Sequence, residues 1–188
     1  MRVLGITGSL RRDSYNHALL REAGERLPAG AELVEFDHLG EIPPYDADLE
    51  AETAPESVAA LRQAMRDADA VIVATPEYNH SIPGVLKNAL DWASRPAGQS
   101  ALTGKPALVV GASTGMFGAV WAQAETRKVL GALGGRVVEG ELPVARAAEL
   151  YRNGRLALSP EQSEQLEGLL AELISEAEQL RELVPAAA

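Results

Sequence analysis

Three short stretches hold most of the residues in this chain that could do chemistry. In GSLRRDSYNHALL (Gly8 to Leu20), Ser9, Arg11, Ser14 and Asn16 place hydroxyl, guanidinium and amide donors at a strand-to-helix junction. That set suits an oxyanion such as phosphate, because the free N–H groups of a helix start point outward and its dipole favours negative charge. The spacing is neither GxGxxG nor a P-loop, which needs Gly-Lys-Ser/Thr. A plainer alternative is that Ser14 only caps the helix while Arg11 and Arg12 sit in solvent. Capping alone leaves Ser9 and Arg11 without a task.

The second stretch is TPEYNHSIPGVLKNALDW (Thr75 to Trp92), directly after the apolar run AVIVA. Pro76 fixes a rigid turn, Glu77, Tyr78 and Asn79 follow it with exposed backbone N–H groups, and Pro83 stands at a tolerated first-turn position of a helix. Such a corner could meet the edge of a flat heteroaromatic ring, with Tyr78 supplying a face or edge contact. It could equally be a turn that caps the helix through Asn79 or Ser81. The third stretch, GASTGMFGA (Gly111 to Ala119), offers small residues that let backbone approach a ligand, with hydroxyls from Ser113 and Thr114. Its alternative is a flexible glycine turn.

Other chemistries are missing from the composition. There is no cysteine, which removes disulfides, thiolate catalysis, Cys-based zinc sites and Fe–S clusters. His17, His38 and His80 are scattered without ligand spacing, so no metal is expected. No nucleophile–base pair with an orienting third residue is visible, so no catalytic side chain is assigned. Trp92 and Trp121 read as packing or interface residues, and the acids Asp46, Asp48, Glu50 and Glu52 as a solvated loop. The 27 acids against 17 Lys and Arg give a formal charge of −10, which argues against a nucleic-acid or anionic-membrane surface. Without a signal-peptide pattern or an apolar run of transmembrane length, the chain is expected to be cytoplasmic.

The elements that must position these stretches alternate. The 188 residues, 46% of them hydrophobic, suffice for one domain over 1–188 with a proper core. Strands are expected at Val3 to Ser9, Ala31 to Asp37, Ala70 to Ala74, Ala107 to Ser113 and, more weakly, Arg136 to Val138. Helical spacing marks Tyr15 to Leu27, Val58 to Ala68, Pro83 to Ala93, Ala119 to Leu133 and a final stripe from Leu166 to Leu180. His38 to Ala54 and Leu150 to Ser159 read as connections, and Pro185 to Ala188 as a fraying end. Alternation of this kind implies a parallel sheet with helices on both faces. Ligands of such sheets sit outside the carboxyl ends of the strands, and all three unusual stretches follow strands.

With these motifs in hand, GSLRRDSYN, TPEYNHSIPGVLKNALDWASR and IPPYDADLE together resemble the NADPH-dependent FMN reductase family, which includes bacterial quinone and chromate reductases. The resemblance runs over nearly the whole chain. It implies a flavodoxin-like three-layer α/β sandwich, a five-stranded parallel sheet of order 2-1-3-4-5, and non-covalent FMN. It also implies NADPH or NADH as co-substrate, a quinone, flavin or similar small-molecule acceptor, and a homodimer or homotetramer that uses the Lys87 to Arg95 helix. Carried over by match, Ser9, Arg11, Ser14, Tyr15 and Asn16 would hold the FMN phosphate. Pro76, Glu77, Tyr78 and Asn79 would border the isoalloxazine, with Ser113, Thr114 and Gly115 along its other edge.

Two departures stand out: Trp121 where the family often has arginine, and Asp13 in the phosphate loop. A flavodoxin-type electron carrier, which binds FMN without turning over nicotinamide, is the alternative. The charge of −10 suits it; the PEYN motif does not. A response regulator needs an acidic cluster on strand one and an Asp ending strand three, where this chain has GITGS and TPEY.

Overall fold

Alternating side chains of the central strands face two different cores. The structure, a computed structural model, describes residues 1–183, with no side-chain detail for Ala51 and Glu52. Strand β1 (Arg2–Thr7) pairs in parallel with β2 (Glu32–Glu35) on one side and β3 (Ala70–Thr75) on the other. Next to β3 lies β4 (Pro106–Ala112), followed by a short β5 (Arg136–Val137), so the order is 2-1-3-4-5. Every residue of β3 and β4 is buried, which is why both read as unbroken apolar runs. The more polar β2 is the edge strand.

Period-two alternation sends Ala70, Ile72 and Ala74 to one face, with α1 (Tyr15–Glu25) and α7 (Pro160–Leu183). It sends Val71 and Val73 to the other, with α3 (Glu56–Asp67) and α4 (Gly84–Ala93). Each large aliphatic chain so enclosed contributes roughly 1.5–3 kcal/mol. Helix α5 (Val120–Ala132) completes the set, burying Ala122, Gln123, Thr126 and Leu130. Among the described residues no helix is long and apolar enough to cross a membrane.

Four segments differ from the sequence expectation. Helix α1 stops at Glu25 rather than Leu27, because a residue just before proline, here Pro28, is disfavoured in helical conformation. The expected loop from His38 to Ala54 contains a 3-10 turn at Leu39–Glu41 and helix α2 (Ala47–Glu52), capped by Asp46 through the Asp48 N–H. Glu50 is therefore not a solvated acid. It accepts from Arg95 Nε at 2.8 Å and from the Tyr45 hydroxyl at 2.8 Å, and these bonds hold its carboxyl below the usual range. The fifth strand is split: β5 lies beside the start of β4, and β6 (Pro143–Val144) beside Gly111 and Ala112 at its end. Beyond it, a short α6 (Ala147–Leu150) leads into a hairpin, β7 (Tyr151–Arg152) and β8 (Arg155–Leu156), inside the expected polar connection. The expected fraying end at Pro185 to Ala188 lies outside the described residues.

Candidate functional site

The three stretches converge at the carboxyl edge of the sheet. The first follows β1, the second β3 and the third β4, and together they line a cleft of about 240 Å³. Ser9, Arg11, Ser14, Tyr15 and Asn16 form one wall, Pro76, Glu77 and Tyr78 the next, and Ala112, Ser113 and Thr114 the last. Asn79 and Gly115 each stand one residue outside this lining. Ala112 is a lining residue that the sequence did not single out, since alanine carries no side-chain signal of such a role.

The loops hold one another through side chains directed at backbone. Asn16, buried at the start of α1, forms a two-bonded fork with Ala112: its Nδ2 donates to the Ala112 carbonyl at 2.9 Å, and its Oδ1 accepts the Ala112 N–H at 2.9 Å. This ties the first stretch to the third. The first stretch is held to the end of β3, one residue ahead of the second, where the Gly8 N–H donates to the Ala74 carbonyl at 2.9 Å. A Cβ at Gly8 would lie 3.0 Å from Pro76 Cδ, tighter than ordinary contact, so a side chain there would have to push the second loop back by a few tenths of an ångström.

Second and third are joined by Glu77. Residue Ala119, at the start of α5, has φ of 62° and no side-chain cap. The Glu77 carboxylate takes that place, accepting the N–H groups of Trp121 at 3.1 Å and Ala122 at 3.2 Å, where the helix dipole favours negative charge. A second carboxylate runs the other way: Glu125 of α5 accepts from Ser81 Oγ and from the Ile82 N–H, just ahead of α4. The Ser81 bond, with the Ile82 bond second, holds the Glu125 carboxyl below its ordinary range.

Within this frame each loop has a defined shape. Ser14 caps α1, its Oγ accepting the N–H groups of Asn16 and His17. Arg11 is exposed but tethered: its Nη2 donates to the Asp13 carbonyl at 2.7 Å and its guanidinium lies 4.6 Å from the centre of the Tyr15 ring. The Tyr151 edge supports that ring at 5.3 Å. Asp13 itself is exposed.

Tyr78 to Ser81 form a tight turn, with N–H to carbonyl bonds both ways at 3.1 Å and positive φ at Asn79 and His80, the type I′ pattern. The Tyr78 N–H is thus used within the turn, contrary to the expectation that it is exposed for a ligand. Tyr78 is 54% exposed at the cleft. Nor is the third stretch a slack glycine turn. Ser113 N–H donates to the Val144 carbonyl, and the Gly115 and Ser113 carbonyls accept from Arg146 and Ala147. Buried Gln123 donates to the Gly118 and Leu142 carbonyls and accepts the Leu142 N–H.

A parallel sheet of order 2-1-3-4-5 with its cleft where the strand order reverses, beside β1 and β3, defines the flavodoxin-like class of α/β proteins. The chain belongs to the NADPH-dependent FMN reductase family, whose model matches residues 1–149. It is 49% identical over 130 residues to an NAD(P)H-dependent FMN reductase of Pseudomonas aeruginosa, covering 69% of each chain. A quinone reductase of Pseudomonas putida is 40% identical over 153 residues, 81% of this chain and 78% of that one. Among solved structures, the flavoenzyme NAD(P)H:(acceptor) oxidoreductase FerB of Paracoccus denitrificans superposes with a TM-score of 0.82 at 38% identity, covering 95% and 97% of the two chains.

Proposed function

We propose that the cleft seats FMN, with its phosphate against the first stretch and its ring between the second and third. The chain is an FMN-dependent NAD(P)H oxidoreductase that delivers electrons to quinones and similar small acceptors, as its family membership implies. The observation that carries the site assignment is the convergence of three strand-end loops on one cleft with chemically distinct walls.

The donor set fits the group. Arg11, Ser9 and the loop amides before α1 offer positive charge and N–H or O–H donors to a phosphate, while Ser14 and Asn16 shape that loop. Glu77 borders the ring position, but its carboxylate is bound to the α5 amides, so its charge is compensated there. Tyr78 and Pro76 supply apolar surface on one edge, and Ser113, Thr114 and Gly115 supply backbone on the other, with Asn79 at the turn tip.

When bound, FMN supplies a ring that accepts hydride from reduced nicotinamide and passes two electrons to the acceptor. The protein orients that ring, and no side-chain acid or base is assigned to the reaction. The same proposal includes residues 1–188 as one FMN-binding domain, a cytoplasmic setting where reduced nicotinamide is supplied, and a homodimer or homotetramer in contact through Lys87 to Arg95, which spans most of α4 and the two residues after it. Lys87 and Asp91 pair at 2.6 Å on its partly exposed face.

Arg11→Ala is expected to weaken FMN binding about ten- to a hundredfold, the worth of a charge-assisted phosphate contact. Quenching of flavin fluorescence on titration measures it. Unchanged affinity in Arg11→Ala would remove the first stretch from the phosphate site.

A further inference from the structure

Three of the eight large apolar side chains left exposed among the described residues lie together. Met116 is 70% exposed, Phe117 58% and Trp121 41%, and all three lie where the third stretch runs into α5. The Trp121 ring meets Phe117 at 5.0 Å between centroids and an interplanar angle of 65°. It meets His80, from the turn of the second stretch, at 4.7 Å and 83°. Edge-to-face contacts of this kind fix the rings while leaving faces open to a further flat partner.

The cluster stands on the rim of the cleft. Glu77 and Thr114 line the cleft; Glu77 holds the Trp121 N–H, and Phe117 follows Thr114 by three residues. Its polar neighbours are carboxylates, Glu77 at 3.8 Å from His80 and Glu125 on the Ser81 hydroxyl. Both carboxylates are already engaged by N–H or hydroxyl donors, so the open surface is aromatic: it suits an uncharged ring system and offers an anion no Lys or Arg among its own residues. Three exposed side chains are also few against the roughly 20–30 residues a side of a stable protein interface.

We propose that Trp121, supported by Phe117 and His80, is a specificity-determining wall of the acceptor slot, selecting uncharged planar quinones over anionic acceptors. The proposal rests on the seating of FMN described above. Trp121 is not a catalytic residue: its ring grips the acceptor beside the cleft, and its backbone N–H keeps its bond to Glu77 in any variant.

The test compares reoxidation of the reduced, FMN-loaded protein by a naphthoquinone and by ferricyanide, in the wild type, Trp121→Ala, Trp121→Phe and Trp121→Arg, with mass in solution recorded for each. The ratio of the two rates cancels any change in flavin loading. Trp121→Ala is expected to lower the quinone-to-ferricyanide ratio about tenfold through KM for the quinone, an aromatic contact's worth. Trp121→Phe should recover most of it, and Trp121→Arg should lower it further by speeding ferricyanide. Equal rate losses for both acceptors would overturn the proposal. So would unchanged ratios accompanied by dissociation of an oligomer, which would assign the patch to a second copy of the chain. A wild type that binds no FMN sinks the seating itself, whereas failure of the wall alone leaves FMN binding intact and the ratio unmoved.

Discussion

Gly118→Ala is expected to destabilise the fold by about 2–4 kcal/mol and to lower the midpoint of thermal unfolding by roughly 5–15 °C. Gly118 has φ of +58°, where any L side chain is strained. A Cβ there would also lie 2.5 Å from the Pro143 carbonyl carbon, 2.7 Å from Val144 N and 2.8 Å from Pro143 Cα. All three are backbone atoms of the segment that returns beside β4, so relief requires moving either β6 or the third stretch. Either movement also disturbs the Gln123 bonds to Gly118 and Leu142 and the Ser113 bond to Val144. FMN affinity should therefore fall together with stability. Thermal unfolding in parallel with a flavin titration measures both, and a midpoint within 2 °C of the wild type would contradict this view of the loop.

The second large effect is expected at Asn16. Asn16→Asp keeps the acceptor for the Ala112 N–H but replaces the donor with a carboxylate oxygen facing the Ala112 carbonyl. A buried donor bond is lost and a buried charge gains no partner, at a cost of about 2–4 kcal/mol near neutral pH. The pH dependence follows from the sign of the shift. Full burial and the facing carbonyl raise the folded-state pKa of the new acid above its unfolded value, against the smaller opposite pull of the α1 start and the Ala112 N–H, so the native state binds the extra proton. Stability relative to wild type should then improve as pH falls through that raised pKa, because a protonated Asp can donate again, and worsen as pH rises. Asn16→Leu, which cannot titrate, should show the loss without the pH recovery. Denaturant unfolding at several pH values distinguishes them; a flat Asp-minus-wild-type difference would contradict the fork.

Much of this architecture was legible in the sequence because the signals were local. AVIVA and ALVVGAS are apolar at every position, and a strand buried on both faces needs that. The order of strands and three loop motifs then pointed to one end of the sheet, where ten of the twelve residues singled out line one cleft. What the sequence did not yield is how the loops are held. The Glu77 bonds to Trp121 and Ala122 and the Asn16 fork with Ala112 span 44 or more positions, and no local pattern announces them. Asn16 reads as a ligand donor from its neighbours, yet its side-chain atoms are committed to Ala112.

Two further elements carry local signals. Asn153-Gly154 is the turn that favours a two-residue hairpin, and both residues have positive φ between β7 and β8. Ser159 and Gln162 form a reciprocal capping box at the start of α7, with Pro160 in the first turn. The split fifth strand is different in kind. Its second half is fixed by Gln123 holding Leu142 from α5, a tertiary effect without a sequence period.

The most direct test of the central claim is anaerobic reduction. Protein loaded with FMN is mixed with NADPH, and separately with NADH, while flavin absorbance is followed. Prompt bleaching by at least one of them, followed by recovery of colour on adding a quinone, is the expected result, and the two rates give the coenzyme preference. Bound flavin that stays oxidised with both coenzymes would contradict the account and leave an electron carrier in its place.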